Sequence, residues 1–211
     1  MPGAPPAAPA RPAPMPELIY ETVVTTLSPA GEPHVAPMGV RYAADRVVLM
    51  PFRPSTTLAN IEATGRSVLN LLTDVRVFAG CVTGRRDWPL APVEAPGFNG
   101  VRLAAALGHV ALRLVAQTDD VQRPVLQMER LHEAQHAPFP GMNRAQAAVV
   151  EGAVLVSRLH MLPADKVDRE FAYLQIAVDK TAGPAELEAW AWLQQAVARH
   201  RGSAPSGAEA A

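Results

Sequence analysis

A chain of 211 residues with 49% hydrophobic content and a formal net charge of −1 carries enough apolar material for one domain with a full core, or a domain plus an appendage. Its composition is not that of a disordered or fibrous protein. The basic residues are nearly all Arg and are scattered, which argues against nucleic acid or an anionic membrane as the main partner. One cysteine, Cys81, excludes an intrachain disulfide and a Cys-based zinc site and suits a reducing, cytoplasmic setting; no window approaches the ~18–20 apolar residues that would cross a bilayer.

The N-terminal run MPGAPPAAPARPAPMPE lacks the apolar core of a signal peptide and is broken throughout by proline. A disordered tail over residues 1–16 is expected, acting as a spacer or reflecting a start upstream of Met15. From Leu18, LIYETVVTTL is rich in β-branched residues and forms a first hairpin arm, with turn chemistry in SPAGEP. The second arm spans 34–42. Within it Pro37 removes one ladder hydrogen bond and Gly39 permits close backbone approach, so Met38, Gly39 and Val40 read either as an edge strand with a bulge or as a surface for a ligand.

The stretch 47–72 reads as strand, turn, helix, strand. Val47, Val48, Leu49, Met50 and Phe52 are β-prone; Pro51 and Pro54 stop the ladder; Ser55 caps a helix over 56–64 that closes on Gly65 as a left-handed residue. Arg53, Ser55, Thr56 and Thr57 gather where unpaired N–H groups and the positive end of the helix dipole favour an anion. A cap requires only one hydroxyl, and three with an Arg beside them point to a phosphate. There is no Walker A loop and no G-x-G-x-x-G after a strand, so a singly phosphorylated ligand fits better than a nucleoside triphosphate or a Rossmann-bound dinucleotide. Asn60 lies in the helix, and Asn70 interrupts the apolar strand 67–72; a buried Asn there needs partners, in backbone or in a ligand.

Beyond this, Thr73 or Asp74 caps a short helix, and residues 83–100 form a long loop with Trp88 as its anchor. Cys81, between Gly80 and Val82, reads as an inert buried thiol. One long strand is expected over 101–118 and another over 125–133. Asn143 and Gln146 then start a helix to about His160, with Arg144 beside the cap in a structural ion pair, for instance with Glu151. Asp165 caps a second helix to about Lys180, and Gly183-Pro184 opens a third, whose Ala189-Trp-Ala-Trp-Leu193 is apolar nearly all round and must be buried. Strands followed by helices define an α+β chain.

His132-Glu-Ala-Gln-His136 matches the H-E-x-x-H zinc signature. On a helix the two imidazoles share a face and the Glu activates a metal-bound water. On a strand they stand about 13 Å apart at ~3.3 Å per residue and cannot share a metal. Ala137-Pro138 ends the segment at once, which favours the strand, so no metal ligands are assigned.

The run Arg53-Pro-Ser-Thr-Thr-Leu-Ala-Asn-Ile61, with Ser67-Val-Leu-Asn-Leu71 after it, resembles the flavin-reductase-like FMN-binding split-barrel superfamily. His34-Val-Ala-Pro-Met-Gly-Val40 and Asn143-Arg-Ala-Gln-Ala-Ala-Val-Val-Glu151 are similar to its uncharacterised branch from methanogens and methylotrophs. The resemblance implies a Greek-key split β-barrel over residues 17–140, a helical segment over 141–201 packed on the barrel or a dimer partner, a disordered tail from Gly202, and a homodimer. It implies FMN, with its phosphate held by Arg53, Ser55, Thr56 and Thr57, Asn60 and Asn70 supporting the turn or touching the flavin, and Met38, Gly39 and Val40 along the isoalloxazine edge. The function implied is an oxidoreductase passing hydride or electrons through FMN, with NAD(P)H or a pterin as partner and a link to pterin-dependent one-carbon metabolism. A non-catalytic FMN-binding protein and a zinc metallopeptidase are the alternatives.

Overall fold

The computed structural model describes residues 18–43 and 45–203; the expected N-terminal tail and the end of the chain from residue 204 lie outside the described residues. Among the described residues, eight strands and five helices follow in order: β1 Tyr20–Leu27, β2 Pro33–Ala43, β3 Arg46–Leu49, α1 Thr56–Thr64, β4 Arg66–Leu71, α2 Arg76–Val82, β5 Leu90–Pro92, β6 Val101–Leu103, β7 Gly108–Thr118, β8 Val125–Gln135, α3 Arg144–Ser157, α4 Ala164–Thr181 and α5 Pro184–Ser203. Six strands close into an antiparallel barrel in the order β1-β2-β3-β8-β7-β4, while β5 and β6 form a separate two-stranded sheet. The expected strand over 101–118 is two strands, because a turn at Ala104–Leu107 divides it. Part of the expected loop 83–100 is the β5 arm that pairs with β6.

Strand alternation sends one set of side chains into the barrel and the other outward. Val24, Val40, Val47, Leu49, Leu69, Val110, Leu112, Leu126 and Met128 fill the interior, together with Leu58 and Ile61 from α1, which crosses one end of the barrel as a plug. Each of those two plug residues contributes roughly 1.5–3 kcal/mol by burial. The outward set of β1 and β2, Val23 and Val35, packs instead against Phe78 of α2, Val149 of α3, Val178 of α4 and Trp190 and Leu193 of α5. Both faces of β1 are therefore buried, which explains its run of five buried residues. A third small cluster, Val68, Val93 and Ala111, lies beneath the β5–β6 sheet.

The apolar face of α5 is covered by the chain's own helices. Trp190 stacks on Phe171 of α4 at 4.9 Å between ring centroids, and its indole N–H donates to Gln175 Oε1 at 2.7 Å. The helix runs to Ser203, two residues into the segment expected to be a tail. Trp88 anchors its loop as expected, its ring lying over Gly80, where a Cβ would come within 2.4 Å of it. Cys81 is buried, its thiol donating to Val35 O at 3.7 Å, and burial pushes its pKa up. Arg144 makes no ion pair with Glu151; the two line a shallow groove between α3 and α4. No helix among the described residues is long and apolar enough to cross a membrane.

Gly152, inside α3, faces Trp190: a Cβ there would lie 2.8 Å from the indole and 3.0 Å from Leu193 Cδ1. Alanine would gain up to ~1 kcal/mol of helix propensity, but overpacking a tight contact costs ~1–3 kcal/mol. Gly152→Ala is expected to destabilise the protein by about 1–2 kcal/mol in urea titration; an increase in stability would contradict the packing.

Candidate cofactor site

The β2–β3 ladder pairs only Val40–Ala43 with Arg46–Leu49. The rest of β2, from Pro33 to Gly39, is paired with β1 on one side and has no strand on the other among the described residues. The chain leaves β3 early because Pro51 and Pro54 cannot donate to a ladder, and it turns directly into α1. This leaves an open strand edge beside the start of a helix.

The turn is built as the sequence predicts. Ser55 is extended, and its Oγ accepts the Leu58 N–H at 3.2 Å, while Gly65 closes α1 in the left-handed region with φ 69°. Ser55 is thus occupied as a cap. The N–H groups of Thr56 and Thr57 have no partner within the helix, as for any first turn, and no acidic residue stands in that turn. Thr56 is exposed, whereas Thr57 is buried.

Arg53 is placed differently from the expectation. Its Nη1 donates to Asp119 Oδ1 at 2.7 Å and its Nη2 to Glu62 Oε1 at 3.1 Å, and these carboxylates, Asp119 foremost, raise its pKa. A guanidinium already flanked by two carboxylates is a brace rather than a free phosphate grip. It ties the turn to α1 and to the β7–β8 loop, and further bonds do the same: Arg53 N–H donates to Gln122 O at 2.8 Å, and Arg123 donates to Met50 O at 3.0 Å while lying over the Phe52 ring at 4.5 Å. Glu62 also accepts from Gln117 at 2.9 Å.

The two asparagines are structural. Asn60 Nδ2 donates to Thr26 Oγ1 at 2.9 Å beneath the plug. Asn70 is fully buried; its Nδ2 lies within 3.1–3.2 Å of Val23 O, Thr25 Oγ1 and Val68 O, and its Oδ1 accepts the Leu103 N–H at 2.8 Å. That set commits both amide hydrogens and one lone pair of Oδ1 to fastening β4 to β1 and to the β5–β6 sheet.

Along β2, Val40 is in the ladder on both sides and its side chain is inside the barrel. The bare face of Gly39 is filled by Ile19, whose Cγ2 would meet a Cβ at 2.7 Å. Met38 is half-buried, and its carbonyl accepts the Thr22 hydroxyl at 2.7 Å. What remains open of the expected flavin surface is the β3-side edge at Met38 and Gly39.

His132 to Gln135 of the H-E-x-x-H motif lie on β8 and His136 directly follows its end, so the helical spacing that a zinc peptidase requires is not formed. His132 and His136 flank His109, which pairs with Ala134 across the ladder; ring centroids are 5.9 and 5.0 Å from His109. His109 Nδ1 and His136 Nε2 share a hydrogen bond at 2.8 Å. No group of three or more His, Cys, Asp or Glu among the described residues is placed to hold a metal ion. Burial, with the nearby His136, Arg102 and His132, lowers the His109 pKa from 6.5 to about 4. No spacing in the sequence predicts this pairing, because His109 and His136 meet only through the β7–β8 register.

A six-stranded closed antiparallel barrel with a Ser/Thr-rich turn and a C-terminal helical layer is the split-barrel fold expected from the sequence. The chain belongs to the DUF447 family, described as a protein of unknown function: the model of its N-terminal domain matches residues 20–137 and that of its C-terminal part residues 143–195. Among solved structures it resembles the FMN-bound protein MM1853 from Methanosarcina mazei, of the same family, at 21% identity and TM-score 0.74, covering 86% of this chain and 96% of that one. Weaker likenesses are to the 2-nitrobenzoate 2-nitroreductase NbaA of Pseudomonas fluorescens (18% identity, TM-score 0.49, 58% of this chain and 67% of that one) and the styrene monooxygenase flavin reductase of Pseudomonas putida S12 (11%, 0.44, 56% and 81%). No curated protein matches the sequence.

Two outcomes follow from the site's frame. Asn70→Ala is expected to cost about 2–3 kcal/mol in denaturant titration, since it strips the buried Leu103 N–H of its acceptor. The depressed His109 pKa means the unfolded chain takes up its proton first, so the stability it contributes is complete above about pH 6.5 and lost as pH falls toward about 4. The loss is on the order of 1–3 kcal/mol, and thermal melts across that range should lose that slope in His109→Asn.

Proposed function

We propose that this chain is an FMN-binding flavoprotein that works as a homodimeric oxidoreductase. The observation that carries the reading is the first turn of α1. Two N–H groups, the exposed Thr56 hydroxyl and the positive dipole end converge there with no acidic residue in the turn, beside the open edge of β2. This occurs in a chain whose fold matches that of an FMN-bound member of its family.

The FMN phosphate is received by the backbone of Thr56 and Thr57 and by the Thr56 hydroxyl. Ser55 holds the first turn in shape, and Arg53, through Glu62 and Asp119, keeps the turn from moving. The edge at Met38 and Gly39 lies along the isoalloxazine. Bound flavin supplies the hydride or electron transfer, and the chain supplies anchoring and orientation, so no acid or base is assigned. Ile19, Tyr20 and Tyr42 leave an apolar patch at one rim, the tyrosines 5.2 Å apart between centroids, and that patch suits a second copy of the chain. NADH, NADPH and a reduced pterin are the donors to compare, the last because of the one-carbon link that the resemblance implies.

Thr56→Glu separates this reading from a merely structural cap. An acid in the first turn favours the helix but repels a phosphate. FMN affinity is expected to fall on the order of tenfold or more, while riboflavin, which lacks the phosphate, binds as before and the melting temperature does not drop. Equal FMN binding by the variant would refute the phosphate site. Anaerobic bleaching of the bound flavin by one of the three donors is the result expected of an oxidoreductase; a flavin that none of them reduces leaves a passive carrier. Light scattering of the purified protein should give twice the chain mass, and half that mass in Tyr42→Glu.

A further inference from the structure

At the other end of α1 lies a cavity of about 380 Å³ that the cofactor reading does not use. Its wall is formed by the end of β1 (Thr25, Thr26), the β1–β2 turn (Ser28 to Gly31), the start of β4 (Arg66, Ser67) and the 98–101 segment. We infer that this cavity is a binding site for a small organic molecule carrying an oxyanion group, with Arg66 as its charge partner and the hydroxyls of Thr26 and Ser28 as donors.

The lining contains no Asp or Glu, while it does contain a guanidinium, several hydroxyls and the Asn99 amide. Arg66 makes no ion pair among the described residues, and its contact is with the Phe98 ring at 5.7 Å. The Ile61 carbonyl in the last turn of α1 is taken by the Gly65 N–H. Ser67 lines the wall, but strand alternation turns its Oγ to the barrel side with Leu69, where it is closed off, so it is not among the donors. Thr26 Oγ1 accepts from Asn60, and Ser28 Oγ accepts from the Ala30 and Glu32 N–H groups; both hydroxyl protons are then left to donate. A wall that offers donors and one positive charge, and no negative charge, selects an acceptor with negative charge.

Size and the aromatic ring narrow the class. The volume lies in the range of small-ligand sites and exceeds what a bare ion fills. Phe98 gives an apolar body something to lie against, and Val68 and Val101 line the same wall. The nine residues of α1 place Ser55 about 14 Å from this end at ~1.5 Å per residue, so the cavity is separate from the turn assigned to the phosphate. The inference does not depend on the flavin reading.

The test uses the full-length protein, without added flavin and with FMN, titrated with benzoate, succinate and inorganic phosphate and followed by amide chemical shifts. Benzoate or succinate is expected to shift the amides of residues 26–31, 66–67 and 98–100 at millimolar concentration or below. Arg66→Ala should weaken binding on the order of tenfold or more, with Arg66→Lys between the two. Ser28→Ala, which removes a donor from the cavity wall, should also weaken it, and the melting temperature reports whether each variant is folded. FMN affinity should be unchanged in all three variants. Tighter binding by phosphate than by either carboxylate identifies a phosphate ester as the natural oxyanion and still supports the site. No shift with any probe, shifts that persist in Arg66→Ala, or loss of FMN binding in the same variants would overturn the inference; the last outcome would make the cavity part of the cofactor site.

Discussion

The length of β3 governs this structure. A strand of four residues can pair with only the last part of an eleven-residue β2, so the chain must leave the sheet while the barrel is still open at that point. Two prolines ensure the exit. The only way back to β4, on the far side of β1, crosses the barrel end, and α1 makes that crossing with Leu58 and Ile61 turned into the interior. The same event creates the plug, the unpaired strand edge and the exposed helix start. A longer β3 would close the ladder and leave no place for a cofactor along it.

Much of this was legible in the sequence because it is local. Capping by Ser55 and Asn143, the left-handed Gly65 and the exits at Pro51 and Pro54 depend on residues within a few positions of one another, and the elements they predict are the elements found. The third helix was visible from its apolar run, and its burial by α3 and α4 follows from Gly152 and Phe171. The division of 101–118 into β6 and β7 was less visible, since Ala104-Ala-Ala-Leu107 carries neither Gly nor Pro. A turn there is imposed by the pairing of β6 with β5.

The site residues show where local reading stops. Arg53 next to three hydroxyls reads as a cation aimed at an anion, but the two carboxylates that hold it arrive from Glu62, nine residues on, and Asp119, sixty-six residues on. Asn70 in an apolar run demanded partners, and its partners proved to be β1 carbonyls and the Leu103 N–H, groups that no window contains. Likewise His132 and His136 matched a helical motif by letter, yet the neighbour that matters to both is His109 across the ladder. For Asn70 and the histidines the partner was set by strand register, and for Arg53 by the placing of α1 and the β7–β8 loop.

The two ends of α1 resolve the same electrostatic problem in opposite ways. At its start the dipole is positive, and the nearest carboxylates, Glu62 and Asp119, are drawn off onto Arg53. The first turn therefore keeps its attraction for an anion without an acid of its own in place. At its end the dipole is negative and would ordinarily attract the nearest cation, but the Ile61 carbonyl is taken by the Gly65 N–H, and Arg66, which makes no ion pair among the described residues, lines a cavity without acids. Intramolecular partners thus occupy the groups that would compete with ligands at both ends. An acid at Thr56 would strengthen the start of a helix that served only as a plug, by a few tenths of a kcal/mol to ~1 kcal/mol. Its absence from the first turn fits a helix start left for a small anionic molecule.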